Sequence, residues 1–144
     1  VRPFNIYGPG MPDYLSISNF INQIKDLKQA PRSKKKYLDV GNLEVMRDFM
    51  YVEDFIKTIW ELSQTENAYG QVFNLCSGKP LSLKKIVEYM ITLSGEDITI
   101  RQEVNRMRKD DMRIHFGDNS KVMSMLGTAY ETNWKAGIKE MFDE

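Results

Sequence analysis

The sequence predicts a mixed α/β chain, a small α+β unit rather than a complete doubly wound dinucleotide fold. Three observations predict it. Apolar residues recur at helical spacing in several stretches, with Ile17, Phe20, Ile21, Ile24 and Leu27 the clearest case. Short β-rich runs such as Tyr37-Leu38-Asp39-Val40 lie between those stretches. The two kinds of segment do not alternate at the regular spacing of βαβ units.

Taken in order, residues 1–5 read as the end of a strand running into a Gly8-Pro9-Gly10 turn. The periodicity from Ile17 to Leu27 predicts a helix over residues 16–28 with one apolar face. Residues 32–36 are basic and read as a solvated connector. A short strand over 37–40 ends at Gly41, and 47–51 is a second extended piece. A helix over 53–63 should turn Phe55, Ile56, Ile59, Trp60 and Leu62 inward. Residues 71–76 read as a strand stopped by Ser77-Gly78-Lys79-Pro80. Ser82 then caps a helix carrying Ile86, Val87, Tyr89, Met90 and Leu93, and Gly95 closes it. Residues 98–101 are strand-like. Asp118 or Asn119 starts a short helix ending at Leu126-Gly127, and Thr132 caps a last one with Trp134, Ile138 and Met141.

Composition narrows the function classes. At 144 residues the chain fits one modest domain with a buried core. Lys+Arg and Asp+Glu each number 20, and this balance argues against a nucleic-acid binder, which needs a basic excess for phosphate contacts. One phosphorylated small molecule needs only two or three local cations, so it stays open. The single cysteine, Cys76, leaves no intrachain disulfide and suits a reducing cytosol. No apolar run reaches the length of about 18 residues that a membrane span needs, and no signal peptide is visible. The expected setting is cytoplasmic, away from membranes.

Three separated blocks carry a resemblance. They are Val1-Arg2-Pro3-Phe4-Asn5-Ile6-Tyr7-Gly8-Pro9-Gly10, Val40-Gly41-Asn42-Leu43-Glu44-Val45-Met46-Arg47-Asp48-Phe49, and Arg106-Met107-Arg108-Lys109-Asp110-Asp111. Together they resemble the C-terminal half of the extended short-chain dehydrogenase/reductase family, the NAD-dependent epimerases and dehydratases that act on nucleotide-sugars. The resemblance implies that residues 1–14 end a strand of a Rossmann sheet and that 15–144 form a nucleotide-sugar-binding subdomain, with most of the dinucleotide-binding sheet absent. It implies an NAD(P)(H) cofactor bound mainly by another half, a GDP-sugar as favoured partner, and a homodimer for the intact enzyme.

Two pieces of that machinery are missing from the sequence. A dinucleotide cradle needs a Gly-rich strand-to-helix turn, so that backbone N–H groups reach the pyrophosphate. Gly8-Pro9-Gly10-Met11-Pro12-Asp13 lacks the third glycine, and its prolines donate nothing. The family's acid/base pair is a Tyr with a Lys four residues later, the Lys lowering the Tyr pKa. None of the seven tyrosines has a Lys at that position.

Several residues could carry chemistry. Asn5 stands where a strand ends, the usual edge of a ligand crevice; it either contacts a ligand or organises the following turn. By resemblance it meets the nucleotide-sugar, while Arg2, Pro3 and Phe4 lie against the nicotinamide. Arg47 offers five planar donors suited to a pyrophosphate, or else makes a surface pair with Asp48 or Asp54. The family's Arg-Asp-Phe/Trp motif implies the pyrophosphate. Arg108 and Asp111 belong to a mixed-charge run that by itself suits solvent. An Arg-x-x-Asp resemblance implies that Arg108 binds the diphosphate and Asp111 accepts from the ribose hydroxyls, with Lys109 where relatives carry proline.

Other residues read as structural. Asn74, Ser77 and Gly78 form a turn, His115 sits in a strand, Cys76 has no partner for metal or nucleophile chemistry, and Met123 and Met125 fill core. The expected function is the nucleotide-sugar-binding half of an NAD(P)-dependent reductase of a GDP-4-keto-6-deoxy-hexose, inactive alone. The alternatives are a 4,6-dehydratase or 4-epimerase piece, or a non-catalytic binding module.

Overall fold

The computed structural model describes residues 1–31, 33–107, 109–128 and 130–144. Its eight strands are β1 (Arg2–Pro3), β2 (Asn5–Tyr7), β3 (Lys36–Val40), β4 (Met46–Tyr51), β5 (Asn74–Leu75), β6 (Pro80–Ser82), β7 (Ile98–Gln102) and β8 (Ile114–His115). Five α-helices join them: α1 (Ser16–Gln29), α2 (Val52–Gln64), α3 (Leu83–Ser94), α4 (Ser120–Leu126) and α5 (Trp134–Asp143). The chain is mixed α/β, as its patterning predicts.

The first seven residues change partners midway. β1 runs parallel to β5, with Arg2 opposite Asn74, and β2 then runs parallel to β4, with Asn5 opposite Phe49. β4 also pairs antiparallel with β6 and, near its start, parallel with β8. The pair β3–β7 stands apart as a parallel ribbon.

Because side chains alternate along a strand, β4 serves two interiors. Tyr51 joins a core of Ile17, Ile24, Leu38, Ile86, Met90 and Ile138, which lies beneath α1, α3 and α5. Met50 joins a smaller one with Leu62, Phe73, Leu75 and Val122, beneath α2 and α4. Ile17, Ile24 and Leu38 are wholly buried, each stabilising the fold by about 1.5–3 kcal/mol.

Helix ends follow local chemistry. Ser82 accepts from the Lys85 amide at the start of α3, and Gly95 ends that helix at φ 68°. At α4 the bond to the Ser120 amide comes from Asp118, while Asn119 turns back to the Cys76 and Ser77 carbonyls.

The structure corrects several expectations. In α2 the inward stripe is Asp54, Thr58 and Leu62, flanked by the half-buried Phe55 and Ile59. Ile56 and Trp60, one turn apart, are 58% and 67% exposed. Asp54 takes an inward place because its carboxylate accepts from the Thr132 amide and hydroxyl, which rotates those two side chains outward. Thr132 is therefore not the cap of α5; Asn133 is, accepting from the Lys135 amide. The strand expected over 71–76 shrinks to two residues because its partner β1 is equally short. Lys36 is not solvated: it begins β3, and its buried Nζ meets Glu96 at 2.6 Å. Arg32, in the same run, lies outside the described residues. Met123 is exposed, so only Met125 packs inward. His115 is a strand residue, as expected.

Candidate functional site

Odd-numbered residues of β4 build a cavity. Arg47 and Phe49 share one face of the strand and line a cleft of about 560 Å³. Phe4, Asn5 and Ile6 close it on the β2 side, Asn19 and Phe20 of α1 border it, and Gly41, Asn42, Arg106 and Asp111 come from loops.

Arg47 is the best-held cation here. Its Nη1 donates to the Met46 and Met112 carbonyls at 2.8 and 2.7 Å, and its Nη2 meets Asp111 Oδ1 at 2.5 Å. Neither surface partner weighed from the sequence, Asp48 or Asp54, takes it. Both members of the Arg47–Asp111 pair keep a little exposure, 18% and 16% of the side chain. A diphosphate entering the cleft would compete with Asp111 for the same guanidinium edge.

Asn5 donates through Nδ2 to the Asp48 carbonyl at 2.8 Å, which leaves Oδ1 as an acceptor at the cleft. Phe4 packs its ring on His115, centroids 5.3 Å apart and nearly parallel. Arg2 and Pro3 are exposed on β1 and do not line the cleft. Arg108 lies outside the described residues. Three separate blocks of sequence thus bring Phe4, Asn5, Arg47 and Asp111 to one cleft.

The other face of β4 holds a residue that the sequence reading weighed only as a surface partner for Arg47. Asp48 is fully buried. Its carboxylate accepts from the Ser77 amide and hydroxyl, both at 2.7 Å, the Gly78 amide at 2.9 Å and the Gly117 amide at 3.2 Å. It ties the turn after β5 and the loop after β8 to the strand that carries Arg47. Burial and the nearby Asp48 charge push the Cys76 thiol up to about 11. Ser77 and Gly78 do make a turn, but its amides serve this carboxylate.

Asn19, Asn42 and Arg106 were also missed. They touch the cleft through loops and one helix face, and no periodicity marks them. Among the described residues, no group of three or more His, Cys, Asp or Glu side chains could hold a metal ion.

Comparison with known proteins fits this geometry. A family model described as GDP-mannose 4,6 dehydratase matches residues 1–141. The chain is 29% identical over 143 residues to GDP-6-deoxy-D-mannose reductase of Pseudomonas aeruginosa, covering 99% of this chain and 46% of the relative. It is 31% identical over 143 residues to GDP-6-deoxy-D-talose 4-dehydrogenase of Aggregatibacter actinomycetemcomitans, with the same coverage of 99% and 46%. The solved structure of RMD from Pseudomonas aeruginosa complexed with NADPH superposes with a TM-score of 0.87 at 27% identity, over 99% of this chain and 46% of that one. The chain thus spans about half the length of the relatives it matches.

Proposed function

The chain belongs to the GDP-mannose 4,6-dehydratase family of extended short-chain dehydrogenases/reductases, and from that premise we propose that it is the nucleotide-sugar-binding half of a reductase acting on a GDP-4-keto-6-deoxy-hexose. One observation carries the reading: Arg47 and Asp111, 64 residues apart, meet at 2.5 Å on the wall of a cleft that Asn5 and Phe4 also line. The Arg47 guanidinium anchors the diphosphate, and Asp111, once released, accepts from the ribose diol. Asn5 receives the hexose end through its Oδ1. Arg108 is assigned to the diphosphate on its Arg-x-x-Asp spacing alone.

The residues toward a nicotinamide cofactor fit only in part. Phe4 offers a ring at the cleft edge, braced by His115, and Arg2-Pro3 precede it. No tyrosine is followed by Lys at the fourth place, and no third glycine follows Gly8 and Gly10 in their turn. When bound, the cofactor supplies the hydride; this chain's residues bind and orient the sugar, so that remote contacts fix its reacting carbon. The chain alone is then inactive. A cytoplasmic setting goes with this reading, supported by the lone Cys76.

A second reading, a 4,6-dehydratase, has the family model's own description behind it. Both share the binding step, so titration calorimetry with GDP and with a GDP-hexose tests that step first. Arg47→Ala should weaken binding by about 100-fold, the worth of a charge-assisted bidentate contact. Unchanged affinity would remove Arg47 from the site. Turnover of a GDP-4-keto-hexose with NADPH by the full encoded protein then separates reductase from dehydratase.

A further inference from the structure

The short strand β8 carries an apolar face that no described residue covers. Ile114 and Phe116 are 50% and 52% exposed, and Met112 just ahead of them is 59% exposed. Lone exposed apolar residues are ordinary, but a row of them along a strand with an open edge marks a contact surface. Among the described residues β8 pairs with β4 alone. His115, between the two, stacks on Phe4, so strand alternation turns Ile114 and Phe116 to the opposite face.

Three observations say what belongs on this face. The first is where the chain enters. Phe4, three residues after Val1, packs its ring so close to Gly117 that a Cβ there would stand 2.7 Å from it. An extended chain spans about 3.3 Å per residue, so a residue preceding Val1 stands within roughly 10–15 Å of β8. The second is length: the chain matches the C-terminal part of relatives of which it spans 46%, and the larger part of each relative precedes the matched stretch. The third is the thinness of the fold at this point. β1 and β5 form a pair of two strands over a core of six buried residues, too little to stand as a sheet by itself. A second copy fits less well, because three half-exposed side chains present far less than the about 800 Å² per partner of a stable pair.

We propose that the Ile114–Phe116 face is the seat of the polypeptide half that precedes Val1. The inference rests on the reading of this chain as the C-terminal half of a longer enzyme, and it adds where the halves meet. β8 then works on both sides at once. Its outer face receives the other half, while His115 braces Phe4 at the cleft edge and the neighbouring Met112 carbonyl holds Arg47 at 2.7 Å. The seam between the halves therefore runs along the cleft, beside the residues assigned to the sugar and the diphosphate.

The test is maleimide labelling of the full encoded protein, without ligand, in the variants Ile114→Cys, Phe116→Cys and the control Val104→Cys, read peptide by peptide by mass spectrometry. Val104 is 82% exposed and lies outside the seat. Thiols at 114 and 116 should react at least about tenfold more slowly than the one at 104. A photo-cross-linker at residue 116 should join to residues ahead of Val1 in the same polypeptide. Labelling as fast as at 104, protection that fades on dilution, or a cross-link to a second copy would each overturn the assignment. Pyrophosphate titration of the same protein keeps the two readings apart. Protection at 114 and 116 without pyrophosphate binding would overturn the ligand of the cleft and leave the seat standing; binding with both positions open would do the reverse.

Discussion

The two faces of β4 use polar groups in opposite ways. On one, Asp48 is fully buried and each of its four hydrogen bonds goes to the protein's own amides and hydroxyl. On the other, Arg47 keeps part of its surface in an open cleft and holds a carboxylate that a ligand could displace. They are adjacent residues on one strand. A closed network fixes structure, because any missing partner leaves a buried group unsatisfied. An open one leaves bonding capacity for something that arrives from solvent. Sequence position alone does not separate these roles; strand parity does.

The sharpest way to break this contrast is at Asp48. Asp48→Ala strands four donors in the interior and should cost about 3–4 kcal/mol of stability, read by urea denaturation. Arg47→Ala, one residue away, should cost less by the same measurement, about 1–2 kcal/mol, because its pair with Asp111 keeps some contact with solvent through the cleft. Equal losses would mean that both faces are structural.

Asp111 sharpens the cleft side. Removing its charge frees the Arg47 guanidinium, so Asp111→Asn should bind inorganic pyrophosphate about three- to tenfold more tightly. Weaker pyrophosphate binding would show that Asp111 orients Arg47 and does not compete for its ligand.

The smallest expected effect lies in the main core and appears only in alkali. Tyr7 is raised well above the ordinary tyrosine range by burial and then by the Asp54 charge. Tyr51 is raised by burial and then by its hydrogen bond to Glu140. A raised folded pKa means that the unfolded chain loses these protons first, so their stabilisation is whole below about pH 10. It fades as pH climbs beyond that toward the folded values. The melting temperature should fall from about pH 10 upward, and Tyr51→Phe should shallow that slope. A slope unchanged in the variant would remove Tyr51 from the effect.

Much of the fold was legible in the residues. The periodicity of α1, the Ser82 cap and Gly95 stop of α3, and the β-rich run of β3 all lie in short windows where local chemistry decides. What local windows miss is long-range pairing. Trp60 faces solvent because Asp54 binds Thr132, 78 residues away. The cleft is split in the same manner. Asn5, Arg47 and Asp111 were visible through motifs, whereas Asp48 acquires its partners only when residues 77, 78 and 117 fold back upon it. Asn19 and Arg106 are 87 residues apart and share nothing before they meet.

The most direct test is a crystal structure of the full encoded protein with GDP. The diphosphate oxygens should lie within about 3 Å of Arg47 nitrogens, with Asp111 turned away from that guanidinium. Nucleotide bound elsewhere, with the Arg47–Asp111 pair intact, would contradict it.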